Sequence, residues 1–486
     1  MATVAAPIMV AERRMMAAVM AGAGIKDYAQ RIHCVKMHFG YDDYSRARQG
    51  RDVPVVWEAD RLINPHILIC GKSGTGKTHL LRRMIAPATG GVRFHIFDVH
   101  SDIRITGESR VVFSEATRYG YNPLVLDTDP HTGGVRRTIN RLVRTLNRTS
   151  RKLGDRQEAV LRALLQDVYF LNACYDDNPK SWCKKEIDEA GRKTLIDARR
   201  YPELKEYYPT LDDLVGFAER KLKAMYLGSE GNGVGNRCVT ALEETNRLTA
   251  SLKRLTGKSA RAGDEEAQGM ETRISAAKAR ALTAFEEYLV SIESGREIDE
   301  VIKYDSREVL KSIVDRLKNL NALGIFRPTR PPFDERAAVW VYDIKHLPED
   351  EQALFVHFRM QDIFRRRLAQ GVQGEVREII VSDEASRFFG DEPDNIYNVI
   401  VKEARKFGLG LWCASQAPTH FSEDFLTTVG TKILLGIDSY YWQSSCRKLN
   451  IEESVLRFIT PQKTAAIHMD RKGEVNTRFK GVQLAG

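Results

Sequence analysis

Gly71-Lys72-Ser73-Gly74-Thr75-Gly76-Lys77-Thr78 has the spacing G-x-x-x-x-G-K-T. Its glycines let successive backbone N–H groups converge on one point, where they can cradle phosphate oxygens. Lys77 is placed to reach the β- and γ-phosphates of a nucleotide, and the Thr78 hydroxyl to bind Mg²⁺. A helix starting near Lys77 would aim the positive end of its dipole at the same phosphates. The flanks agree. His66-Ile67-Leu68-Ile69-Cys70 is an apolar run of strand length, and Leu80, Leu81 and Met84 continue a helical period. The expected nucleotide contacts are therefore Gly71, Ser73, Gly74, Thr75, Gly76, Lys77, Thr78 and His79, with ATP and Mg²⁺ as ligands.

A phosphate loop needs an acid on a partner strand. Glu378-Ile379-Ile380-Val381-Ser382 reads as a buried strand ending in Asp383-Glu384. Asp383 is the expected Mg²⁺ acid, and Glu384 is placed to polarise the attacking water. Leu411-Trp412-Cys413-Ala414-Ser415 forms the next strand, and Gln416 at its tip is a candidate sensor of the γ-phosphate. Phe94-His95-Ile96-Phe97-Asp98 is a further strand; Asp98 and Asp102 end it, as a magnesium support or as a turn cap. Loop and acid on different strands, with a third polar tip nearby, define the additional-strand subclass of P-loop folds.

Further strands are read at Ala338–Tyr342 and Lys432–Gly436, with helical patterns between most of them. Alternating strands and helices imply a mostly parallel sheet covered on both faces. The expected fold is thus α/β, a RecA-like P-loop core interrupted by a large helical insertion. The boundaries are 1–60 for an N-terminal segment, 61–175 and 305–486 for the two parts of the core, and 176–304 for the insertion. Within the helical region, Val160, Leu161, Leu164, Leu165 and Val168 mark one apolar face, and Leu310, Ile313, Val314, Leu317 and Leu320 another. Thr210 and Asp213 form a capping box, and Gly324 a helix stop. Gly228, Gly231, Gly233 and Gly235 read as a linker, and Arg365-Arg366-Arg367 as a solvated helix end.

Composition narrows the setting. The 486 residues carry 74 Lys+Arg against 65 Asp+Glu, a formal charge of +9, which favours a polyanionic partner. No apolar run is long enough for a membrane span. The uncharged stretch Met15–Ile25 behind Arg13-Arg14 is read as a short amphipathic helix rather than a signal peptide. Seven cysteines form no C-x-x-C pair, and the histidines have no metal-ligand spacing, so a reduced, cytoplasmic setting is expected.

Taken together, these segments resemble the HerA/FtsK superfamily of DNA-translocating ATPases, HerA-like proteins in particular. Asn64-Pro65-His66 leading to Gly74 is similar to its phosphate-loop entry. Phe97-Asp98-Val99-His100-Ser101-Asp102 is similar to its Asp-x-His-Gly-Glu segment, with Ser101-Asp102 replacing Gly-Glu. Asp383-Glu384-Ala385-Ser386-Arg387-Phe388-Phe389 is similar to Asp-Glu-Ala-His-x-Phe, and Glu403-Ala404-Arg405-Lys406-Phe407-Gly408 through Gln416-Ala417-Pro418 to Arg-Lys-Phe-Gly and Gln-x-Pro. The resemblance covers about residues 60–175 and 305–486. It implies a homo-hexameric ring on double-stranded DNA, with Arg405 reaching a neighbour's γ-phosphate and Arg387 and Arg447 in reserve. It also implies a separate nuclease or effector partner, in DNA processing or antiviral defence. The family's β-barrel is reduced or absent here, since only about 60 residues precede the core. The alternatives are a conjugation or packaging pump, and an ATP-binding ring scaffold that activates a partner with little translocation.

Overall fold

The computed structural model describes residues 35–86, 91–149, 151–227, 234–258, 264–291, 303–475 and 478–485. The N-terminal stretch Met15–Ile25 and most of the glycine linker fall outside these residues.

Among the described residues, eleven strands form one sheet: β1 (Lys36–Asp42), β2 (Pro54–Glu58), β3 (Ile67–Cys70), β4 (Arg93–Asp98), β5 (Ser109–Val112), β6 (Val339–Asp343), β7 (Glu378–Ser382), β8 (Leu409–Ser415), β9 (Thr431–Leu434), β10 (Thr464–Met469) and β11 (Lys480–Leu484). Their order is β2-β1-β11-β10-β9-β3-β8-β7-β4-β6-β5. The run from β9 to β5 is parallel. The run from β9 to β2 is antiparallel. The chain preceding the phosphate loop thus extends the sheet at its antiparallel edge. The parallel strands are apolar almost throughout because both faces are covered.

Side-chain alternation along each strand feeds two cores. Ile67 and Ile69 of β3, Phe94 and Ile96 of β4, and Val339 and Val341 of β6 pack with Leu80, Leu81, Met84 and Ile85 of the helix Lys77–Ile85. Leu68, Cys70, Phe97, Trp340 and Tyr342 face the opposite core, with the helices Val135–Thr149, Asp155–Leu171, Arg307–Ala322 and Glu349–Ala369. The two apolar faces read from the sequence lie in this core, and Val160, Leu161, Leu310 and Ile313 are fully buried. Trp182, Tyr208, Leu214 and Phe217 join it as well. The helix Leu211–Leu227 opens on the Thr210–Asp213 pair: Thr210 N–H donates to Asp213 at 2.8 Å, and Asp213 N–H to Thr210 Oγ1 at 3.4 Å.

The helices Val234–Lys258 and Asp264–Ser291 pack along each other. The ion pairs Arg237–Glu287 and Arg280–Glu244 run in opposite sequence directions, so the two are antiparallel. Among the described residues no helix is long and apolar enough to cross a membrane.

Candidate active site

The phosphate loop leaves the C-terminal tip of β3 and is held at both shoulders. Gly71 N–H donates to the Ser415 carbonyl of β8 at 3.0 Å, and Lys72 N–H to the Gly436 carbonyl beyond β9 at 2.8 Å. The Thr75 hydroxyl turns back to the Lys72 carbonyl at 2.8 Å. A Cβ at position 71 would lie 2.4 Å from that hydroxyl oxygen, so only glycine fits. Gly74 and Gly76 have φ of 79° and 96°, the left-handed region that a side chain disfavours. Lys77 is buried, and its ammonium donates to the Gly71 carbonyl at 2.7 Å and the Lys72 carbonyl at 3.4 Å. Thr78 is half-buried in the first helical turn, while Ser73 and His79 are exposed.

The acids stand two strands away. β8 lies between β3 and β7, with Cys70 opposite Ser415 and Ser382 opposite Cys413. Strands are spaced by about 4.8 Å, which sets Asp383 roughly 10 Å from the loop's base, with Gln416 exposed on the strand between. That gap suits a phosphate chain and a cation. Ser382 Oγ and the Tyr397 hydroxyl, 2.6 Å apart and buried, anchor the end of β7. Glu384 has φ of 50°, a costly conformation for a non-glycine residue of the kind that collects at functional sites.

Burial, then Glu384, Asp102 and Asp98, push the Asp383 carboxyl up to about 6, with His100 opposing. An acid crowded by acids is a site that a divalent cation would relieve, so the donor set fits Mg²⁺ held by Thr78 and Asp383. When bound, the cation spreads the charge of the phosphates.

Asp98 has a different occupation. It is fully buried and accepts from Arg110 at 2.9 Å, from Ile103 N–H at 3.1 Å and from Asp102 N–H at 3.3 Å. The same Arg110 nitrogen reaches Asp343 at 3.0 Å. Asp343 also accepts from Ser101 Oγ at 2.5 Å, and Ser101 has φ of 59°. Of the two sequence readings, the turn cap describes Asp98. It braces the loop that carries His100 and Asp102 toward the acids.

The arginines separate. Arg405 is exposed in the turn Ala404–Phe407, immediately before β8. The seven residues of β8 span about 20 Å, so Arg405 stands at the opposite end of the sheet from its own phosphate loop. Arg387 is exposed just after Glu384, and Arg447 is exposed on the helix Trp442–Leu449.

Sequence reasoning missed four contributors. Gln462 donates to the Gly74 carbonyl at 2.9 Å. Gly436 holds Lys72, and Arg110 braces Asp98. His420 Nδ1 lies 3.1 Å from Ser415 Oγ; burial lowers its pKa while Glu384 raises it, which sets the ring near that acid. None of these carries a local motif. Each is a lone polar residue or glycine brought in by a strand end.

Residues 43–363 match the family model described as Helicase HerA, central domain. The match includes the phosphate loop and Asp98 and ends before Asp383. Among solved structures, VirB4 of Thermoanaerobacter pseudethanolicus is similar in fold, with a TM-score of 0.56 at 15% identity over 93% of this chain and 96% of that one. At that identity the likeness speaks for the fold alone. The plasmid coupling protein TrwB in complex with ADP and Mg²⁺ aligns over 92% of this chain and 94% of that one at 11% identity, with a TM-score of 0.44. Among curated proteins none matches the sequence.

Proposed function

The chain belongs to the family of the HerA helicase central domain, and from that premise we propose that it moves double-stranded DNA as a hexameric ring. It is a P-loop ATPase with ATP and Mg²⁺ as its ligands. In our reading the loop N–H groups and Lys77 hold the β- and γ-phosphates. Glu384 orients and polarises the attacking water, and Gln416 senses the γ-phosphate. Catalysis is then positioning plus stabilisation of developing charge.

The observation that carries the ring is the separation of Arg405 from its own phosphate loop by the length of β8. A guanidinium at that edge serves a neighbouring copy's nucleotide, which makes hydrolysis a property of the interface. The formal charge of +9 supports a polyanion as the cargo. A cytoplasmic setting and a separate nuclease or effector, in DNA processing or antiviral defence, complete the reading. We assign residues 176–304 to docking that partner, and the paired helices Val234–Lys258 and Asp264–Ser291 support this choice. A conjugation or packaging pump would use the same ring.

The test is ATP turnover with and without linear double-stranded DNA, with Glu384→Gln as the control. DNA stimulation that vanishes in the variant supports the motor. Turnover indifferent to DNA favours a ring that scaffolds and activates a partner instead.

A further inference from the structure

Toward the N-terminal ends of β4 and β6, on the face covered by the helix Glu349–Ala369, lies a cavity of about 390 Å³. This is the sheet edge opposite the phosphate loop. The volume falls within the range of small-ligand pockets, about 300 to 1,000 Å³.

The lining is crowded with guanidinium groups. Arg359 is 4% exposed, lies 4.2 Å over the Tyr121 ring and pairs with Asp362. Asp362 also serves Arg365 at 3.3 Å and Arg366 at 3.7 Å. One carboxylate therefore answers three arginines. Burial works against its charge, yet Arg359, Arg366 and Arg365 hold its pKa below the ordinary value. Two nitrogens of Arg365, Nε and Nη1, are buried with no hydrogen-bond partner among the described residues. Arg141 also lines the cavity; burial and then Arg365 pull its guanidinium down to about 10. The third member of Arg365-Arg366-Arg367 is buried against the Phe407 carbonyl, at 2.9 Å. Within the run, Arg367 is therefore not solvated and Arg365 is half-buried beside Asp362, while Arg366 is exposed as its charge suggests.

Buried donors without acceptors and like charges that share one carboxylate are both costly, and one anion would resolve both. Forked guanidinium donors match phosphate best. The same cavity carries aromatic surface: Phe333 stacks on Trp340 with centroids 4.7 Å apart and planes at 11°. Phosphate donors beside an aromatic face are what a nucleotide requires.

We propose that this cavity is a second nucleotide site, separate from the phosphate loop. Arg141, Arg365 and Arg366 take a phosphoryl group there, and Phe333 stacks the base. The recognised chemistry is shared by a free nucleotide and by the terminal nucleotide of a strand. The site stands on its own residues and does not depend on the motor reading.

The test uses the full chain carrying Lys77→Ala, which silences the phosphate loop. Adenosine and guanosine monophosphates, inorganic pyrophosphate and a 5′-phosphorylated six-nucleotide DNA strand are titrated by calorimetry. Saturable binding of at least one probe is expected, weakened about tenfold or more by Arg365→Gln. Arg141→Gln should weaken all probes, and Phe333→Ala the nucleotides but not pyrophosphate. Binding of the monophosphates assigns the site to a free nucleotide, and binding of the DNA strand alone assigns it to a strand end. Arg365→Gln relieves like-charge crowding, so its melting temperature should equal or exceed that of the parent; Arg366→Gln is the second variant should it not. Absence of saturable binding by every probe, or binding unchanged in folded variants, overturns the proposal.

Discussion

Gln462 donates a 2.9 Å hydrogen bond to the carbonyl of Gly74, joining the loop before β10 to the phosphate loop 388 residues earlier. Gln462 itself has φ of 65°, so the backbone accepts a costly conformation to deliver the contact. The bond fixes the apex of a loop whose shoulders are held by β8 and β9.

Gln462→Ala should loosen that apex while leaving Lys77 and the acids in place. A neutral hydrogen bond contributes about 0.5–1.5 kcal/mol, so KM for ATP should rise about two- to tenfold with kcat nearly kept. Steady-state turnover decides this, and an unchanged KM would make the contact incidental.

Arg405→Ala should bind ATP like the parent and lose on the order of 10³ in turnover, as loss of an arginine acting in trans does. Lys77→Ala should be silent for a different reason. Mixing the two silent proteins places an intact Arg405 beside an intact phosphate loop, and turnover should return. A mixture as silent as its components would remove Arg405 from the neighbour's site.

Three buried histidines set an acid limit. Burial draws His66 from 6.5 down to about 3, with Arg405 adding to the effect. It draws His95 and His357 to about 4, against the opposing pull of Glu378 and of the Phe388 carbonyl. The unfolded chain takes up protons near 6.5 that the folded chain refuses. The contribution is therefore complete above about pH 6.5 and lost as pH falls toward 4, by up to about 1.4 kcal/mol per pH unit for each ring. Asp383 acts the other way, because its raised carboxyl gains a proton as pH falls through about 6. Three groups outweigh one. Melting temperatures in magnesium-free buffer should fall between pH 6.5 and 5, and less steeply in His357→Gln.

Arg110→Met should unfold at lower urea. It leaves Asp98, fully buried, and Asp343, 3% exposed, without their shared cation, a loss of about 3–5 kcal/mol. Adding Asp98→Asn should restore part of the stability, and a double variant no better than the single would refute the pairing argument.

Much of the fold was legible because the parallel strands are short, apolar and bounded by chemistry. Ile67–Cys70 runs straight into the glycine loop, and Glu378–Ser382 straight into Asp383-Glu384. β1 and β11 were harder. Their half-exposed patterns follow from a place at the antiparallel end of the sheet, where register with a distant strand decides pairing. The candidate site splits the same way. Lys77, Thr78, Asp383 and Glu384 sit in contiguous motifs, whereas Arg110, His420 and Gln462 owe their roles to contacts no local pattern encodes. Arg367 departs from the solvated reading of its run for a related reason, since charge density along a sequence does not reveal which carbonyls and carboxylates will surround each member.

The placement of β8 between β3 and β7 also governs how the molecule comes into being on the ribosome. β3 and its loop emerge early, but the strands on either side of β3 begin about 340 residues later. At about 5–20 residues per second, that interval runs from roughly 15 seconds to over a minute. Throughout it the nascent chain carries a glycine loop with neither flank paired. Nucleotide can grip only after β8 and β9 have docked, and the Gln462 contact, which lies beyond both strands in the chain, closes later still. Nascent chains are thereby kept from binding nucleotide until β8 and β9 have been made.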